Sequence, residues 1–140
     1  CLLFLFIFLW TPPHFWPLAI ITKEDYARAS IPMYPVLYGV EKTKKSILIY
    51  TVLLVTCSQI IAFTEIGGPL FFLLSNALNV VLFLFALKLV RPHENQGYEK
   101  ERRFFKFTIL YLFLYFSFLV LSSFVQTFRT GILINWPVLF

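Results

Sequence analysis

Four apolar stretches dominate the chain, and each is about as long as the roughly 20 residues that a helix needs to cross a bilayer. They occupy residues 1–21, 47–66, 69–90 and 104–125. Hydrophobic residues make up 59% of the chain and charged residues only 14%, whereas soluble domains average about 25% charged. Apolar residues do not alternate with a period of two in these stretches, which disfavours a β-barrel. The sequence therefore predicts an all-α, multi-pass transmembrane helical bundle.

Small residues mark the connection between the second and third stretches. Gly67, Gly68 and Pro69 predict a tight turn, which makes the two helices antiparallel neighbours. Cys57 lies inside the second stretch, where we expect a buried thiol rather than half of a disulfide. The chain opens on Cys1 instead of Met, and we expect it to be part of a longer protein.

Basic residues are distributed unevenly between the connections. Of the 12 Lys and Arg, five lie in residues 22–46 and six lie in or beside residues 91–103. The turn at 64–68 has none, and only Arg129 follows residue 125. The positive-inside rule therefore predicts that both basic loops face the cytoplasm or an equivalent compartment. This topological bias and attraction to anionic lipid account for the net charge of +5 without a nucleic-acid partner.

The connection at residues 22–46 is longer than a simple loop between neighbouring helices. Thr22 is predicted to cap a short helix, with Asp25 as the acidic partner three residues later. Pro32 and Pro35 are predicted to end that helix and turn the chain.

Charged side chains of both signs gather at the start of this connection, at the membrane surface. They are Lys23, Glu24, Asp25 and Arg28. Carboxylate oxygens are the ligands that Mg²⁺ prefers, and protein-bound Mg²⁺ commonly retains substrate phosphate as a further ligand. The cluster is thus a candidate site for a metal-bound phosphate. Spacing alone favours the alternative, a solvated loop that only sets topology.

His14 lies within the first apolar stretch, and an ionisable residue at such a position is a functional candidate. Pro12 and Pro13 precede it, and Pro17 follows it; we expect these prolines to bend or unwind the helix and to free backbone carbonyls. Trp10 lies four residues before His14 and shares its helical face. The alternative to a functional His14 is a neutral ring bonded to a freed carbonyl.

Polar residues inside the second and third stretches predict hydrogen bonds between helices. These residues are Ser58, Gln59, Ser75, Asn76 and Asn79. The segment 94–103 is predicted as a solvated loop with pairing between charges four residues apart, and His93 is placed in the same hydrated connection. No Gly-rich phosphate loop, zinc-binding motif or serine nucleophile motif occurs in the sequence.

Two adjacent segments carry a family resemblance. They read FLWTPPHFWPLAI at residues 8–20 and KEDYARASIPMYPV at residues 23–36, followed by a basic TKK segment and an apolar span. In order and spacing, they resemble the protoheme IX farnesyltransferases, or haem O synthases, of the UbiA-type intramembrane prenyltransferases. The resemblance is specific over residues 8–55, and the remainder agrees in hydropathy and span count. Since that family has nine transmembrane helices, residues 1–140 resemble the C-terminal part of one membrane domain, from helix six to helix nine.

The resemblance implies a reaction and a set of partners. Farnesyl diphosphate condenses with a vinyl group of protoheme IX, with Mg²⁺ as cofactor, in a bacterial plasma membrane or mitochondrial inner membrane. Haem A synthase and terminal oxidase assembly are the implied further partners. The resemblance also implies roles at the matching positions: catalysis by Asp25, Lys23 and Arg28, metal binding by Asp25 and Glu24, and substrate binding by His14, Trp10 and Tyr26.

The sequence departs from the wider superfamily at one position of the acidic motif. Two Asp residues four apart are the superfamily pattern, but Ile21 stands four residues before Asp25. The family's first Asp-rich motif is not in this sequence. Two other classes therefore remain alternatives: a UbiA-type enzyme with an aromatic acceptor, as in quinone or chlorophyll synthesis, and a non-enzymatic membrane transport or assembly subunit. The PPHFW element disfavours the aromatic acceptor.

Overall fold

Six helices form the fold of the described residues in this computed structural model. The described residues are 2–63, 68–91 and 97–131, with only the backbone described for 68 and 126–131. In chain order the helices are α1 (Leu2–Ile21), α2 (Lys23–Arg28), α3 (Tyr34–Tyr38), α4 (Val40–Ala62), α5 (Gly68–Val90) and α6 (Glu99–Gly131). No strand occurs in these ranges, and the predicted all-α fold is confirmed.

The four long helices, α1, α4, α5 and α6, are each long and apolar enough to cross a membrane. The four predicted spans are therefore confirmed. Large apolar side chains cover the outside of the bundle: Phe4, Phe63 and Phe113 are 77%, 78% and 69% exposed. An apolar outer surface of this extent is stable against lipid tails rather than water.

Helix α1 runs through Pro12, Pro13 and Pro17 without interruption. Of the two expected outcomes, a bent helix or an unwound one, the unwound helix is therefore wrong. Each proline removes one backbone hydrogen bond, but a membrane-spanning helix tolerates the loss where neighbouring helices pack around it. Pro13 and Pro17 are both buried against the rest of the bundle.

Helix α2 ends in a Schellman motif. The N–H of Ser30 donates to the carbonyl of Ala27 (3.1 Å), and the N–H of Ile31 donates to the carbonyl of Tyr26 (3.0 Å). Ser30 has a φ of +54°, a conformation that glycine usually supplies at this position. The chain therefore reverses direction at Ser30, before it reaches the first proline of the connection.

The short helix occurs and Thr22 is at its N-cap position, as predicted, but the predicted side-chain cap and the predicted end of the helix are wrong. Thr22 precedes α2, but its hydroxyl donates to the carbonyl of Leu18 (2.9 Å) instead of capping α2. Helix α2 ends at Arg28, and Pro35 lies in the first turn of α3. Proline is favoured there because the first helical N–H groups need no partner within the helix.

Helix α4 begins at Val40, seven residues before the predicted start of the second span at residue 47. Gly39, with a φ of +83°, separates it from α3. Lys42, Lys44 and Lys45 thus lie on the first turns of a helix rather than in a loop. Hydropathy did not detect these turns because they are polar, and a helix can continue beyond the hydrocarbon core into the headgroup region.

Helices α5 and α6 also differ from the predicted boundaries. Gly68 and Pro69 begin α5 instead of forming the turn before it, and the rest of that turn lies outside the described residues. Helix α6 starts at Glu99, five residues before the predicted span, and continues to Gly131. His93 and Glu94 also lie outside the described residues.

The long helices pack in the order α1, α4, α5 and α6, and α6 returns to contact α1. Neighbours are antiparallel: Phe6 near the start of α1 stacks on Tyr115 of α6 (centroids 4.2 Å apart), whereas His14 meets the earlier residue Thr108 (3.0 Å). The core consists of buried apolar and aromatic side chains, including Phe6, Ile47, Leu54, Phe71, Leu82, Tyr111 and Tyr115. Cys57 is buried and free, as predicted.

A polar cluster lies inside this core, at the junction of α4, α5 and α6. The Asn79 amide donates to the hydroxyl of Ser58 (2.9 Å), and the hydroxyl of Tyr111 donates to the amide oxygen of Asn79 (2.8 Å). Nearby, the amide of Gln59 donates to the side-chain oxygen of Asn76 (2.7 Å). The predicted hydrogen bonds between the second and third spans are therefore confirmed for Ser58, Gln59, Asn76 and Asn79. Ser75 is the exception, because its hydroxyl donates to the carbonyl of Phe72 in its own helix (3.2 Å).

Candidate functional site

The charged cluster predicted at the membrane surface lies on α2, directly after α1. Glu24, Asp25 and Arg28 are exposed, whereas Lys23 and Tyr26 are half-buried. No ion pair or side-chain hydrogen bond joins these five residues to one another or to the other residues that the structure describes. The side chains of α2 are therefore free to meet a ligand from the water side.

The two carboxylates of α2 have the right chemistry for Mg²⁺, which binds oxygen ligands. Two carboxylates alone are too few to complete a Mg²⁺ site. Glu24 and Asp25 are consecutive on a helix, so they point in different directions. No group of three or more His, Cys, Asp or Glu side chains that could hold a metal occurs in the described ranges. Asp25 and Glu24 thus fit a metal only as part of a larger ligand set.

His14 lies in a stack of three aromatic rings between α1 and α6. Its ring centroid is 4.3 Å from that of Trp10, with an interplanar angle of 13°, and 4.8 Å from that of Phe105, with an angle of 19°. Trp10 and His14 share one face of α1, as the spacing predicts. The stack covers both faces of the imidazole and leaves its edge to make polar contacts.

Thr108 of α6 supplies those polar contacts. Nδ1 of His14 lies 3.0 Å from Oγ1 of Thr108, and the Trp10 indole N–H donates to the Thr108 backbone carbonyl at 3.0 Å. His14 therefore pairs with a hydroxyl on another helix. The alternative expectation, a bond to a carbonyl freed by the prolines, is wrong.

His14 and the charged helix lie at the same end of the bundle. Seven residues separate His14 from Ile21, the last residue of α1, which corresponds to roughly 10 Å along the helix axis. Helix α2 begins two residues after Ile21. A ligand that reaches from the membrane surface about 10 Å into the bundle would span both sets of residues. Within the described residues, no direct contact brings α2 and His14 together.

Aromatic packing fixes α3 beside this end of the bundle. Tyr34 stacks on Trp16 of α1 (4.8 Å, 20°), and its hydroxyl lies 3.1 Å from the hydroxyl of Ser46 on α4. Trp16 also makes an edge contact with Tyr50 of α4 (5.3 Å). The connection between α1 and α4 is therefore anchored to this end of the bundle, which limits the positions that α2 can take.

Sequence reasoning did not identify Thr108, Phe105 or Glu101. Glu101, in the segment predicted to be solvated, is instead buried (3% exposed) and forms an ion pair with Lys44 of α4. The predicted charge pairing four residues apart does occur between Arg103 and Glu99 (3.6 Å). The sequence feature that could have identified Glu101 is its position: it is an acidic residue three residues before an apolar span. Thr108 and Phe105 gave no signal, because their importance comes from the packing of α6 on α1.

An apolar groove of about 810 Å³ follows one face of α6 and begins at Ile109, one helical turn after Phe105. Its lining residues are Ile109, Leu112, Phe113, Phe116, Ser117, Val120, Leu121 and Phe124. Ile109 and Leu112 are four and seven residues after Phe105, so they continue the helical stripe on which His14 stacks. The groove thus leads away from His14 along α6 with an almost entirely apolar lining.

A comparison of the sequence with protein-family models shows which family contains these helices. Residues 1–110 match the model of the UbiA prenyltransferase family. The chain belongs to the UbiA prenyltransferase family. The match contains α1 to α5 and the part of α6 that includes Thr108, so both α2 and the His14 stack lie within UbiA sequence.

Curated relatives within this UbiA family share a name. Proteins named protoheme IX farnesyltransferase are 42% identical in Dinoroseobacter shibae over 135 residues, 40% in a Jannaschia species over 126 residues, and 38% in a Ruegeria species over 134 residues. These alignments cover 94%, 87% and 93% of this chain, but 42%, 41% and 43% of the respective relatives. The chain thus spans less than half the length of these relatives. The comparison with solved structures gives no match.

Proposed function

We propose that the protein containing this chain is a haem O synthase, which transfers the farnesyl group of farnesyl diphosphate to a vinyl group of protoheme IX. The observation that carries the proposal is the 38–42% identity, over 87–94% of the chain, to relatives with the name protoheme IX farnesyltransferase. The chain covers 41–43% of those relatives, a share that agrees with four of nine helices.

The diphosphate is assigned to the water-facing end of the site, at α2. Ionisation of an allylic diphosphate breaks the C–O bond and leaves negative charge on the departing diphosphate, which cationic groups stabilise. Lys23 and Arg28 supply positive charge there, while Asp25 and Glu24 offer oxygen ligands to a metal. Mg²⁺, when bound, would act as a Lewis acid for the leaving group. The absence of internal ion pairs on α2 supports this role, because these charges need no rearrangement to meet a ligand.

The farnesyl chain is assigned to apolar surface leading away from α2, such as the groove on α6. From Ile109 to Phe124 this face extends roughly 22 Å at 1.5 Å per residue, enough for a fifteen-carbon chain. An apolar environment also excludes water from the allylic cation until the vinyl carbon has attacked it. Water then adds to the resulting cation, and loss of a proton gives the hydroxyethylfarnesyl group.

Protoheme IX is assigned to the His14 end of the site. His14 is the ionisable residue of α1 and is held between two aromatic rings, with Tyr26 and Trp10 as further contacts for a flat porphyrin. His14 would orient the porphyrin through its iron or a propionate, or would stabilise charge near the reacting vinyl group.

The orientation in the membrane follows from the basic residues, with α2 and the start of α6 on the cytoplasmic or matrix side. The experiment is to place single cysteines at the exposed positions Ala29 and Phe63, at opposite ends of the bundle. The background is the complete protein with Cys1, Cys57 and every other cysteine replaced. An impermeant thiol reagent added from outside should label only the cysteine at position 63. Labelling of position 29 from outside would contradict the orientation.

The reaction itself is tested with the complete protein, purified and supplied with farnesyl diphosphate, Mg²⁺ and protoheme IX. Mass spectrometry should detect a haem heavier by one farnesyl group and one hydroxyl group, with release of diphosphate. A parallel reaction contains an aromatic acid, such as 4-hydroxybenzoate, in place of haem. Prenylation of the aromatic acid with no haem product would overturn the proposal in favour of an aromatic-acceptor enzyme.

A further inference from the structure

The hydroxyl of Thr108 lies between two partners but has only one proton to donate. Its Oγ1 is 2.7 Å from the backbone carbonyl of Phe105 and 3.0 Å from Nδ1 of His14. Because a carbonyl oxygen can only accept, the Thr108 proton points to Phe105. Both contacts are hydrogen bonds at the same time only when His14 donates from Nδ1 to the Thr108 oxygen.

This arrangement determines what the other nitrogen of His14 can do. A neutral imidazole has a single N–H, so a proton on Nδ1 leaves Nε2 with a lone pair. Among the described residues, Nε2 has no hydrogen-bond partner. Trp10 and Phe105 cover the two faces of the ring, so the Nε2 edge is the part of His14 available to a ligand.

We infer that Thr108 is a positioning residue that holds His14 in the Nδ1–H tautomer, so that Nε2 meets the acceptor substrate as an electron-pair donor. The identity of that acceptor rests on the proposed function. Among the roles open to His14, this tautomer permits binding of the haem iron or acceptance of a proton from the attacking water. It excludes hydrogen-bond donation from Nε2 to a propionate. Metal-binding histidines show the same division of roles: one ring nitrogen donates its proton to a hydrogen-bond acceptor, and the other ring nitrogen binds the metal.

The test measures the tautomer directly. The complete protein is labelled with ¹⁵N-histidine, and the His14 signals are assigned by their loss in His14→Gln. In the wild-type protein with a neutral ring, Nδ1 should give the signal of a protonated nitrogen and Nε2 that of an unprotonated one. Thr108→Val keeps the side-chain shape and removes the hydroxyl, so the ratio of the Nδ1–H to the Nε2–H tautomer should fall roughly 2- to 10-fold, the ratio that one net hydrogen bond maintains. Thr108→Ser should retain the wild-type ratio.

A matched control is available in α4. Thr51 is a buried threonine whose hydroxyl donates to the carbonyl four residues earlier, that of Ile47 (2.8 Å). Its hydroxyl has no side-chain partner among the residues that the structure describes. Thr51→Val thus removes the same kind of intrahelical bond and should leave the His14 tautomer unchanged.

The tautomer and the synthesis of haem O are separate readouts. A shifted ratio in Thr108→Val alone supports the inference, even if His14→Gln still makes haem O and the proposed role of His14 fails. Two results overturn the inference. One is a wild-type protein whose His14 has its proton on Nε2, a result that does not depend on the folding of any Thr108 variant. The other is a Thr108→Val protein with the same tautomer ratio as the wild type and Thr51→Val.

Discussion

The polar cluster around Asn79 and the one around His14 both lie within the described part of the bundle, and they differ in how completely they are enclosed. Asn79, Ser58 and Tyr111 are at most 2% exposed, and each is hydrogen-bonded within the cluster. His14 is half-buried, with one ring nitrogen bonded to Thr108 and the other without a described partner. An enclosed polar cluster stabilises helix association, whereas an open one retains bonding capacity for a ligand. The comparison predicts that substitutions in the two clusters affect different measurements.

The largest effect is expected at the open cluster. In the complete enzyme, His14→Gln should lower haem O formed per folded molecule by about 100-fold or more, because loss of a catalytic base or acceptor group typically has that effect. Gln can keep one hydrogen bond to Thr108, so the amount of folded protein should change little. The measurements are haem O yield, haem absorbance and folded protein in the same preparation. Near-normal haem O and haem binding would make His14 a packing residue and remove the distinction between the clusters.

A smaller loss of turnover is expected for substitutions on α2, whose carboxylates are more exposed than His14. Asp25→Asn keeps one oxygen but removes the negative charge from a proposed metal ligand. It should reduce turnover roughly 10- to 100-fold, as much as the loss of an outer partner that orients a metal ligand, and should raise the Mg²⁺ concentration needed for half-maximal rate. Glu24→Gln is the matched control, and its effect should be smaller if one carboxylate of the pair binds the metal. An Asp25→Asn enzyme with wild-type yield and Mg²⁺ response would exclude this role.

Substitutions in the enclosed cluster should change the stability of the protein and not the rate of haem O formation. Asn79→Leu removes the partner of both Ser58 and Tyr111, so the free energy of unfolding should fall by about 1–2 kcal/mol. Haem O per folded molecule should remain at the wild-type level. Unfolding in mixed detergent micelles measures the first quantity. Asn76→Leu, at the edge of the same helix pair, should lower the free energy of unfolding by a smaller amount. A large loss of specific activity in Asn79→Leu would show that this cluster also takes part in the reaction.

The smallest effect is expected at the end of α2. Ser30 has a left-handed conformation in which glycine avoids steric strain, so Ser30→Gly should stabilise the end of α2 by less than about 1 kcal/mol. Slower amide hydrogen exchange at the N–H of Ile31, which closes the Schellman motif, is the measurement. Faster exchange at Ile31 in the glycine variant would show that the Ser30 side chain, rather than its backbone conformation, stabilises this end.

The sequence was sufficient to predict the four spans and the pairing of Trp10 with His14. Both follow from spacing along one helix, since the length of an apolar run and a separation of four residues are local properties. The helix ends were predicted less well: α4 and α6 begin with polar turns, at Val40 and Glu99, that hydropathy assigns to loops.

The partners of His14 and of Lys44 could not be predicted, because they depend on which helices pack together. Thr108 is an ordinary helical threonine until α6 lies against α1, and Glu101 is an ordinary surface acid until Lys44 approaches it. Sequence spacing also could not reveal that α1 remains helical through its prolines. That outcome depends on the packing of Pro13 and Pro17 inside the bundle.

The contact between α1 and α6 also has a consequence for biogenesis. The polar groups of Trp10 and His14 find their partner 98 and 94 residues later in the chain. At a translation rate of about 5–20 residues per second, α1 precedes Thr108 into the membrane by roughly 5–20 s. During that interval the indole and imidazole groups need other partners, such as water, lipid headgroups or an insertion factor. The bundle can therefore close around His14 only after α6 has been inserted.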